Sequence, residues 1–378
     1  MRRLILTTLA VLVATIPLRA KTVNRHDMSS TAICVNAAIS RDIKVGTFKK
    51  IYAEGTTEVQ LKHGSVCSVR VEGTDTDLKF YNVKVSSGTL CCKYKGSPSG
   101  SSNHYPRPKI KLYVTMPNVR SIELRGISCL KSTEIHSQEQ LTLRCNGSAT
   151  ITTDYVNARE SVWMTTEGVS KIQTGNIHSW GLHLAASGSS SINVGQVVCD
   201  EDVSLTCSGG ASIQSKDIQG ETMKANVSGC SKVKAEHIYA TKQANIGLSG
   251  NSTLHCIQLT CKEGNVLTEG ASQYEGDIQT KGVTNLTSHG CGKVESDVKA
   301  ENVVLNLTGS SQAKIAFNGK DATLVCEGAS SAKVKLACAT LRAIAHNIAK
   351  IQLNGSAHST EIDAAPNAKI NVSGLKRF

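Results

Sequence analysis

The sequence predicts an all-β protein: a right-handed parallel β-helix (β-solenoid) of about 20 residues per coil and roughly 13 coils, preceded by a small N-terminal β cap. Three observations predict this fold. Glycine recurs every 19 to 22 residues from Gly126 onward, apolar residues recur in fixed positions after each glycine, and the alternation around those positions has period two. A fixed period of this length is typical of a repeat architecture, and a period-two alternation is typical of strands.

The repeat opens with Gly-x-Ser or a close variant, and its glycine is predicted to form a corner of each coil. Glycine adopts positive φ without steric cost, and a nearby serine or asparagine can bond its own backbone. Two degenerate copies continue the rhythm at Asn347 and Pro366. The predicted corner glycines are Gly126, Gly147, Gly168, Gly188, Gly210, Gly229, Gly250, Gly270, Gly290, Gly309 and Gly328.

Three apolar columns follow from the repeat. The first runs from Leu130 through Ile315 and Val334 to Ile370, the second starts at Ile135, and the third starts at Leu143. Three short apolar segments per coil suit a three-sided coil whose neighbours lie about 4.8 Å away. A helical repeat is excluded because β-branched residues dominate and no 3.6-residue period is present.

An ordered polar column accompanies the first apolar column. Its lysines are predicted to point outward and to form a basic stripe that binds anions; the alternative is a solvated face that opposes aggregation. The stripe consists of Lys171, Lys232, Lys293, Lys314, Lys333, Lys350 and Lys369.

Acidic residues gather at another corner, just before the second apolar column. Stacked carboxylates could hold Ca²⁺ or act as general acid and base, but an exposed acidic corner is the simpler interpretation. We therefore predict no metal site, no cofactor and no catalytic residue. These acids are Glu134, Asp154, Asp217, Glu236, Asp277 and Asp297.

The domain boundaries follow from changes in pattern. Residues 1–20 have the arginines and short apolar run of a signal peptide, and 21–43 form a poorly ordered lead. Residues 44–120 form the β cap, with a predicted strand from Leu78 to Val85, 121–372 the solenoid and 373–378 a tail. The chain is then exported to the periplasm, the outer-membrane surface or the extracellular space, and no transmembrane span is expected after residue 20.

Charge and composition narrow the partners. The net charge is +12, or +9 without the three arginines of residues 1–20, which favours acidic partners. Only 4% of the residues are aromatic, so flat platforms for sugars or bases are scarce, and no nucleic-acid partner is expected. The 14 cysteines leave two interpretations open: disulfides of an exported protein, or small buried side chains between coils.

The N-terminal segments resemble a known family. Gly46–Ile51, Val69–Gly73, Ser87–Leu90 and Leu112–Val119, which leads into Ser121–Gly126, are similar to the auto-transporter adhesin head GIN domain, and the later coils resemble the rest of that domain. The resemblance implies an envelope or secreted β-solenoid of Gram-negative bacteria whose biochemical role is unknown. It carries no catalytic motif, and this chain departs from it in its many cysteines and its longer array.

The leading hypothesis is a non-enzymatic, adhesin-like binding or structural protein whose lysine face binds an anionic polysaccharide or another envelope component. The alternative is a polysaccharide lyase or glycoside hydrolase on the same scaffold, for which His104 and Tyr105 form the local cluster to test. Assembly of a homo-oligomer through the coil ends is a third prediction.

Overall fold

The computed structural model describes residues 38–96 and 108–377. The predicted signal peptide, most of the lead, His104 and Tyr105 lie outside these described residues. Within them the strands join in one hydrogen-bonded sheet that winds along the chain, mostly through parallel pairs. A β-solenoid is therefore confirmed.

The described residues of the N-terminal part, 38–96 and 108–116, form seven strands and one short helix. Antiparallel pairing occurs here, between β1 and β4, β4 and β7, and β5 and β6. The elements are β1 (Ile39–Ile43), β2 (Lys50–Ala53), β3 (Thr56–His63), β4 (Ser68–Gly73), α1 (Asp75–Lys79), β5 (Tyr81–Ser86), β6 (Thr89–Tyr94) and β7 (Lys109–Met116).

The helix α1 corrects the predicted strand from Leu78 to Val85. The Thr74 hydroxyl accepts a hydrogen bond from the Asp77 backbone N–H at 3.0 Å and caps the helix, which ends at Lys79. The strand starts only at Tyr81. A local cap satisfies the first free amides of the helix, and the apolar alternation of the sequence does not reveal it.

The coils after residue 120 are built from strands that pair in parallel with the coils before and after them. The first of these strands are β8 (Ser121–Gly126), β9 (Cys129–Ser137), β10 (Leu141–Gly147), β11 (Thr150–Ala158), β12 (Val162–Gly168), β13 (Lys171–Ser179), β14 (Leu182–Ala186), β15 (Ser191–Val194), β16 (Val197–Cys199), β17 (Val203–Cys207) and β18 (Ser212–Gln214). The later ones are β19 (Asp217–Val227), β20 (Lys232–Leu248), β21 (Thr253–Cys261), β22 (Glu263–Thr268), β23 (Gln273–Thr280), β24 (Val283–Ser288), β25 (Lys293–Leu307), β26 (Gln312–Cys326), β27 (Ser331–Ala345), β28 (Lys350–Ala364) and β29 (Lys369–Arg377).

Coil pairing extends into the region predicted as a cap. Strand β2 pairs in parallel with β8, and β3 with β9. Gly55 has a φ of 93° and lies under Gly126, where a Cβ on Gly126 would stand 3.0 Å from the Gly55 carbonyl oxygen. The stack of corner glycines therefore begins at Gly55, one coil before the first glycine of the sequence repeat.

The glycine corner is held by one recurring hydrogen bond. The residue after each corner glycine donates its N–H to the glycine carbonyl of the preceding coil, as Ser148 does to Gly126 at 2.8 Å. Positive φ turns each carbonyl into line with the next coil. Asn347 takes the same place with a φ of 62°, because asparagine tolerates the left-handed region better than most residues.

One predicted corner glycine is wrong. The corner is Gly209, with a φ of 76°. Gly210 is the middle residue of the three-residue step that starts at the corner glycine, and it donates its N–H to the Gly188 carbonyl oxygen at 2.8 Å. The third residue of each step is buried, and here it is Ala211 rather than Ser212. The sequence Gly-Gly-Ala-Ser fits the repeat in two registers, and only burial of the small third residue separates them.

The core consists of columns of inward side chains. Serines at the third position of the step are buried, and most of their hydroxyls contact backbone carbonyls. The Ser170 hydroxyl lies 2.8 Å from the Glu167 carbonyl oxygen and 3.0 Å from that of Cys145 in the preceding coil. The predicted first column needs a correction. Ala313 and Ala332 stack on Val294, while Ile315 and Val334 lie two residues further along their strands.

Candidate functional site

The predicted lysines do not form a single stripe. In the row that pairs with Lys171, polar uncharged residues separate most of the lysines, and direct neighbours occur only at the C-terminal end. The row contains Lys171, Lys232, Lys293, Lys350 and Lys369.

Lys314 and Lys333 belong to the neighbouring outward row, where they stack on each other and Lys314 stacks on Glu295. The Lys314 ammonium hydrogen-bonds the Glu295 carboxylate, which lowers the pKa of Glu295. The prediction of one stripe is wrong because Ala313 and Ala332, and not Ile315 and Val334, fill the first column. Lys314 and Lys333 therefore lie two positions further along their strands than the row of Lys171.

The acidic corner is also less regular than predicted. Asp277 and Asp297 stack directly in adjacent coils, whereas a tyrosine, amides and His237 separate the other acids of the row. His237 Nδ1 lies 2.9 Å from Asp217 Oδ1, and hydrogen bonding to His237 lowers the pKa of Asp217. With Glu236 these two residues place possible ligand atoms within 4.8 Å of one another on the surface.

A first groove of about 530 Å³ follows the corner that leads into the third side of the coil, across the coils of β9, β11 and β13. We call it the tryptophan groove. One wall carries His136, Asn157 and His178, which stack in register. The opposite wall carries Arg159, Trp180 and Asp200.

The two walls of the tryptophan groove stand apart because the side chains between them are small. Ser137, Ala158 and Ser179 are buried beneath it, and Ser179 donates to the Gly181 carbonyl at 3.0 Å. Trp180 is 49% exposed, although tryptophan is usually buried over most of its surface. Arg159 forms no ion pair with any described residue. The groove thus combines a free ring face, a free guanidinium and imidazole and amide groups.

The second tryptophan of the chain is also exposed, on the next side of the coil. Trp163 is 42% exposed and stacks on His183, with ring centroids 3.9 Å apart and an interplanar angle of 24°. Burial lowers the pKa of His183. Strand alternation explains both outward positions, since Trp163 follows the inward Val162 and Trp180 the inward Ser179. The alternation in the sequence therefore predicts that both tryptophans point outward, although the low aromatic content favours few exposed ring surfaces.

A second groove, of about 610 Å³, begins where one coil has an extra residue relative to the next coil. On β21, Cys256 and Ile257 oppose the single residue Gly276 of β23. A Cβ on Gly276 would lie 2.4 Å from the Cys256 carbonyl oxygen, so only glycine fits. The extra residue Ile257 remains 55% exposed above the groove. Such a bulge re-aims the side chains around it.

Charged side chains line both walls of this second groove, which we call the charged groove. One wall carries Glu275, Glu295, Lys314 and Lys333 in successive coils. The other carries Asp277 and Asp297 and then, after Ala316, Lys335. The groove is acidic at the end near Ile257 and basic at the other end.

The structure favours the second interpretation of the cysteines, as small buried side chains between coils. The thirteen described cysteines are all free thiols. Most lie inside the coils, and burial raises the pKa of Cys92, Cys145 and Cys326 to about 12. Cys230 and Cys291, in the middle of their corner steps, are exposed.

Comparison with known proteins supports the family resemblance. Residues 47–201 match the family model described as "Putative auto-transporter adhesin, head GIN domain". The predicted resemblance to this family is therefore confirmed over residues 47–201. The match includes β2 to β16 and the tryptophan groove up to Asp200, and it ends before the charged groove.

Solved structures similar to this chain include three bacterial proteins described as putative adhesins. The Parabacteroides distasonis protein is 13% identical, covers 88% of this chain and 98% of its own, and gives a TM-score of 0.30. The Parabacteroides merdae protein is 9% identical, covers 88% and 95%, and gives 0.32. The Bacteroides fragilis protein is 14% identical, covers 90% and 97%, and gives 0.24.

A comparison with curated proteins finds no match. Among the described residues, no helix has the length and apolar character needed to cross a membrane.

Proposed function

We propose that this protein is a non-enzymatic, adhesin-like binding protein of the cell envelope or extracellular space, and that its head GIN segment binds an acidic glycan in the tryptophan groove. The observation that carries the proposal is the exposed Trp180 beside Arg159, which forms no ion pair with a described residue; both face a wall of imidazole and amide groups. The family supports an adhesin-like role.

The chemistry of the groove suits an acidic sugar. The ring face of Trp180 offers an apolar surface on which the C–H face of a pyranose can lie. Arg159 supplies a planar, positively charged set of donors that matches a carboxylate. Asn157, His136 and His178 can bond sugar hydroxyls from the opposite wall. A few polar groups around an apolar surface are the usual composition of a ligand site.

The net charge supports an anionic ligand at longer range. At +12 the whole chain attracts polyanions before contact. The lysine rows contribute to this field, but their split geometry makes them a poor match to a single extended polyanion. We therefore place the specific contacts in the tryptophan groove and assign the lysines a supporting role.

The rival function is a polysaccharide lyase or glycoside hydrolase. Glycoside hydrolysis uses two carboxyl groups that face each other across the bond to be cleaved. The described walls of the tryptophan groove carry one carboxylate, Asp200. Glu134, next to the groove, is already paired with His136, whose Nε2 lies 2.9 Å from Glu134 Oε2. This favours binding over catalysis.

The test is titration calorimetry with oligogalacturonate, in which every sugar carries a carboxylate, and with its neutral methyl ester. We expect Trp180→Ala to weaken binding of both by about tenfold or more, as the loss of a central aromatic contact does. Arg159→Gln should abolish the preference for the free acid and retain binding of the ester.

Two controls accompany this test. Trp163→Ala removes an equally exposed tryptophan outside the groove and should leave binding unchanged. Lys350→Gln with Lys369→Gln should lower affinity only at low salt, since screening removes long-range attraction. Equal losses in Trp163→Ala and Trp180→Ala, or no loss in Trp180→Ala, would contradict the proposal.

Assembly through the coil ends remains a prediction. In β28 and β29 apolar residues that would be fully inward elsewhere, such as Ile362 and Ile370, are only half-buried. A second copy that covers them would add apolar burial. Light scattering over a concentration series measures this, and Ile370→Asp should shift any oligomer to the monomer.

A further inference from the structure

We propose that the charged groove is a second binding site, for a zwitterionic glycan chain that carries ammonium and acidic groups in alternation. The site is separate from the tryptophan groove and does not rest on the function proposed for it. The argument starts from how the charges of the groove are sorted.

Wherever both walls are charged at one level of the groove, they agree in sign. Glu275 and Asp277 leave the same strand on the same side, and so do Lys333 and Lys335. Neighbouring coils repeat the sign, since Asp277 stacks under Asp297 and Lys314 under Lys333. Like charges in adjacent positions of a sheet destabilise it. A surface that only needed solubility would intersperse the two signs.

Most of these charged side chains form no ion pair with another described residue. Glu295 is neutralised by Lys314 and by Lys293, whose ammonium lies 3.4 Å away. Asp277, Asp297, Lys333 and Lys335 form no ion pair with any described residue. One pair of carboxylates and one pair of ammonium groups, none of them in an ion pair with a described residue, thus lie toward opposite ends of the groove.

The coil spacing sets the distance between the two charged pairs. Asp297 and Lys335 are two coils apart, as are Glu295 and Lys333. At the usual strand spacing this is roughly 10 Å along the solenoid axis. A ligand that satisfies both ends is elongated, lies along the axis and carries a positive and a negative group at a similar separation.

A glycan fits this groove better than a peptide. Extended peptides are recognised largely through main-chain hydrogen bonds to a free strand edge. Strands β23, β25, β26 and β27 are paired on both sides, so the groove offers no such edge. Recognition must come from side chains, and the small residues Gly276 and Ser296 on the floor, with Ala316 in the wall, leave room for sugar rings.

The test compares three oligosaccharides of equal length in low salt. De-N-acetylated hyaluronan carries a carboxylate and an ammonium group on successive sugars, intact hyaluronan carries carboxylates only, and chitosan carries ammonium groups only. We expect the zwitterionic chain to bind about tenfold more tightly than either control, because only it satisfies both ends of the groove. Added salt should reduce this advantage.

Variants locate the site. Asp277→Asn with Asp297→Asn should abolish the advantage, and so should Lys333→Gln with Lys335→Gln. Lys350→Gln with Lys369→Gln removes the same charge from a stacked pair outside the groove and should leave the advantage of the zwitterionic chain unchanged. Trp180→Ala should also retain it, which separates this site from the tryptophan groove. Equal affinity for the three oligosaccharides, or an advantage that survives both groove variants, would overturn the proposal.

Discussion

Above pH 9 the stability of the protein is expected to fall steeply, because many thiols are buried in the coils. Burial raises the pKa of Cys92, Cys145 and Cys326 to about 12 and that of Cys199, Cys256 and Cys261 to about 11, against a usual value of 9.0. Tyr274, fully buried, has its pKa raised in the same direction by burial.

The direction follows from where the protons are bound. Each of these thiols keeps its proton in the folded protein between pH 9 and 11, while the unfolded chain releases it. The stability that they contribute is fully present below pH 9 and is lost as the pH rises through the folded pKa. Each thiol adds about 1.4 kcal/mol per pH unit to the slope of the unfolding free energy in that window.

Denaturant unfolding under reducing conditions, from pH 7 to 11, measures this slope. Cys145→Ala should reduce it by about one proton, or roughly 1.4 kcal/mol per pH unit, whatever its effect at pH 7. Cys230→Ala, at an exposed position, is the matched control and should leave the slope unchanged. A stability that stays constant up to pH 11 would show that the thiols are not buried as described.

The second large effect concerns two adjacent glycines. Gly209→Ala is expected to lower the free energy of unfolding by about 2 kcal/mol, since alanine is strained in the left-handed region. The φ of Gly209 is 76°, and a Cβ there would stand 3.1 Å from the Gly188 carbonyl oxygen and 3.2 Å from its nitrogen. The stacked corners leave the backbone little room to move.

Gly210→Ala is the matched control. A Cβ at Gly210 meets nothing nearer than 3.7 Å, and its φ is not positive. The change should stay within about 0.5 kcal/mol or stabilise slightly, because alanine restricts the unfolded chain. Urea unfolding, with hydrogen exchange of the amides in β15 and β18, compares the two. A larger loss from Gly210→Ala than from Gly209→Ala would mean that Gly210, and not Gly209, forms the corner.

Much of the fold could be predicted from the repeat, because its signals are local. Glycine at a corner, a small buried residue two positions later and period-two alternation each depend on a few neighbouring residues. Where several registers satisfy the same pattern, local reasoning fails. Gly209-Gly210 offered two corners, and Ala313 and Ala332 were too small to be recognised as column residues beside Ile315 and Val334.

The candidate sites were harder to predict, because both depend on residues that meet across coils. The outward positions of Trp163 and Trp180 follow from alternation, but the groove beside Trp180 exists only because Ser137, Ala158 and Ser179 stack beneath it. The charged groove depends on the bulge at Ile257, where two residues oppose one. No single repeat contains that step, since it is a difference between two coils.

By itself, the sequence determined that this chain winds into a β-solenoid with a glycine corner and inward apolar columns, because each coil repeats the same local chemistry. Only the tertiary structure decided which rows the lysines occupy, where the like charges stack and where small side chains open a groove. Those features depend on register between coils, and a shift of two residues keeps every side chain on its face while changing all of its neighbours.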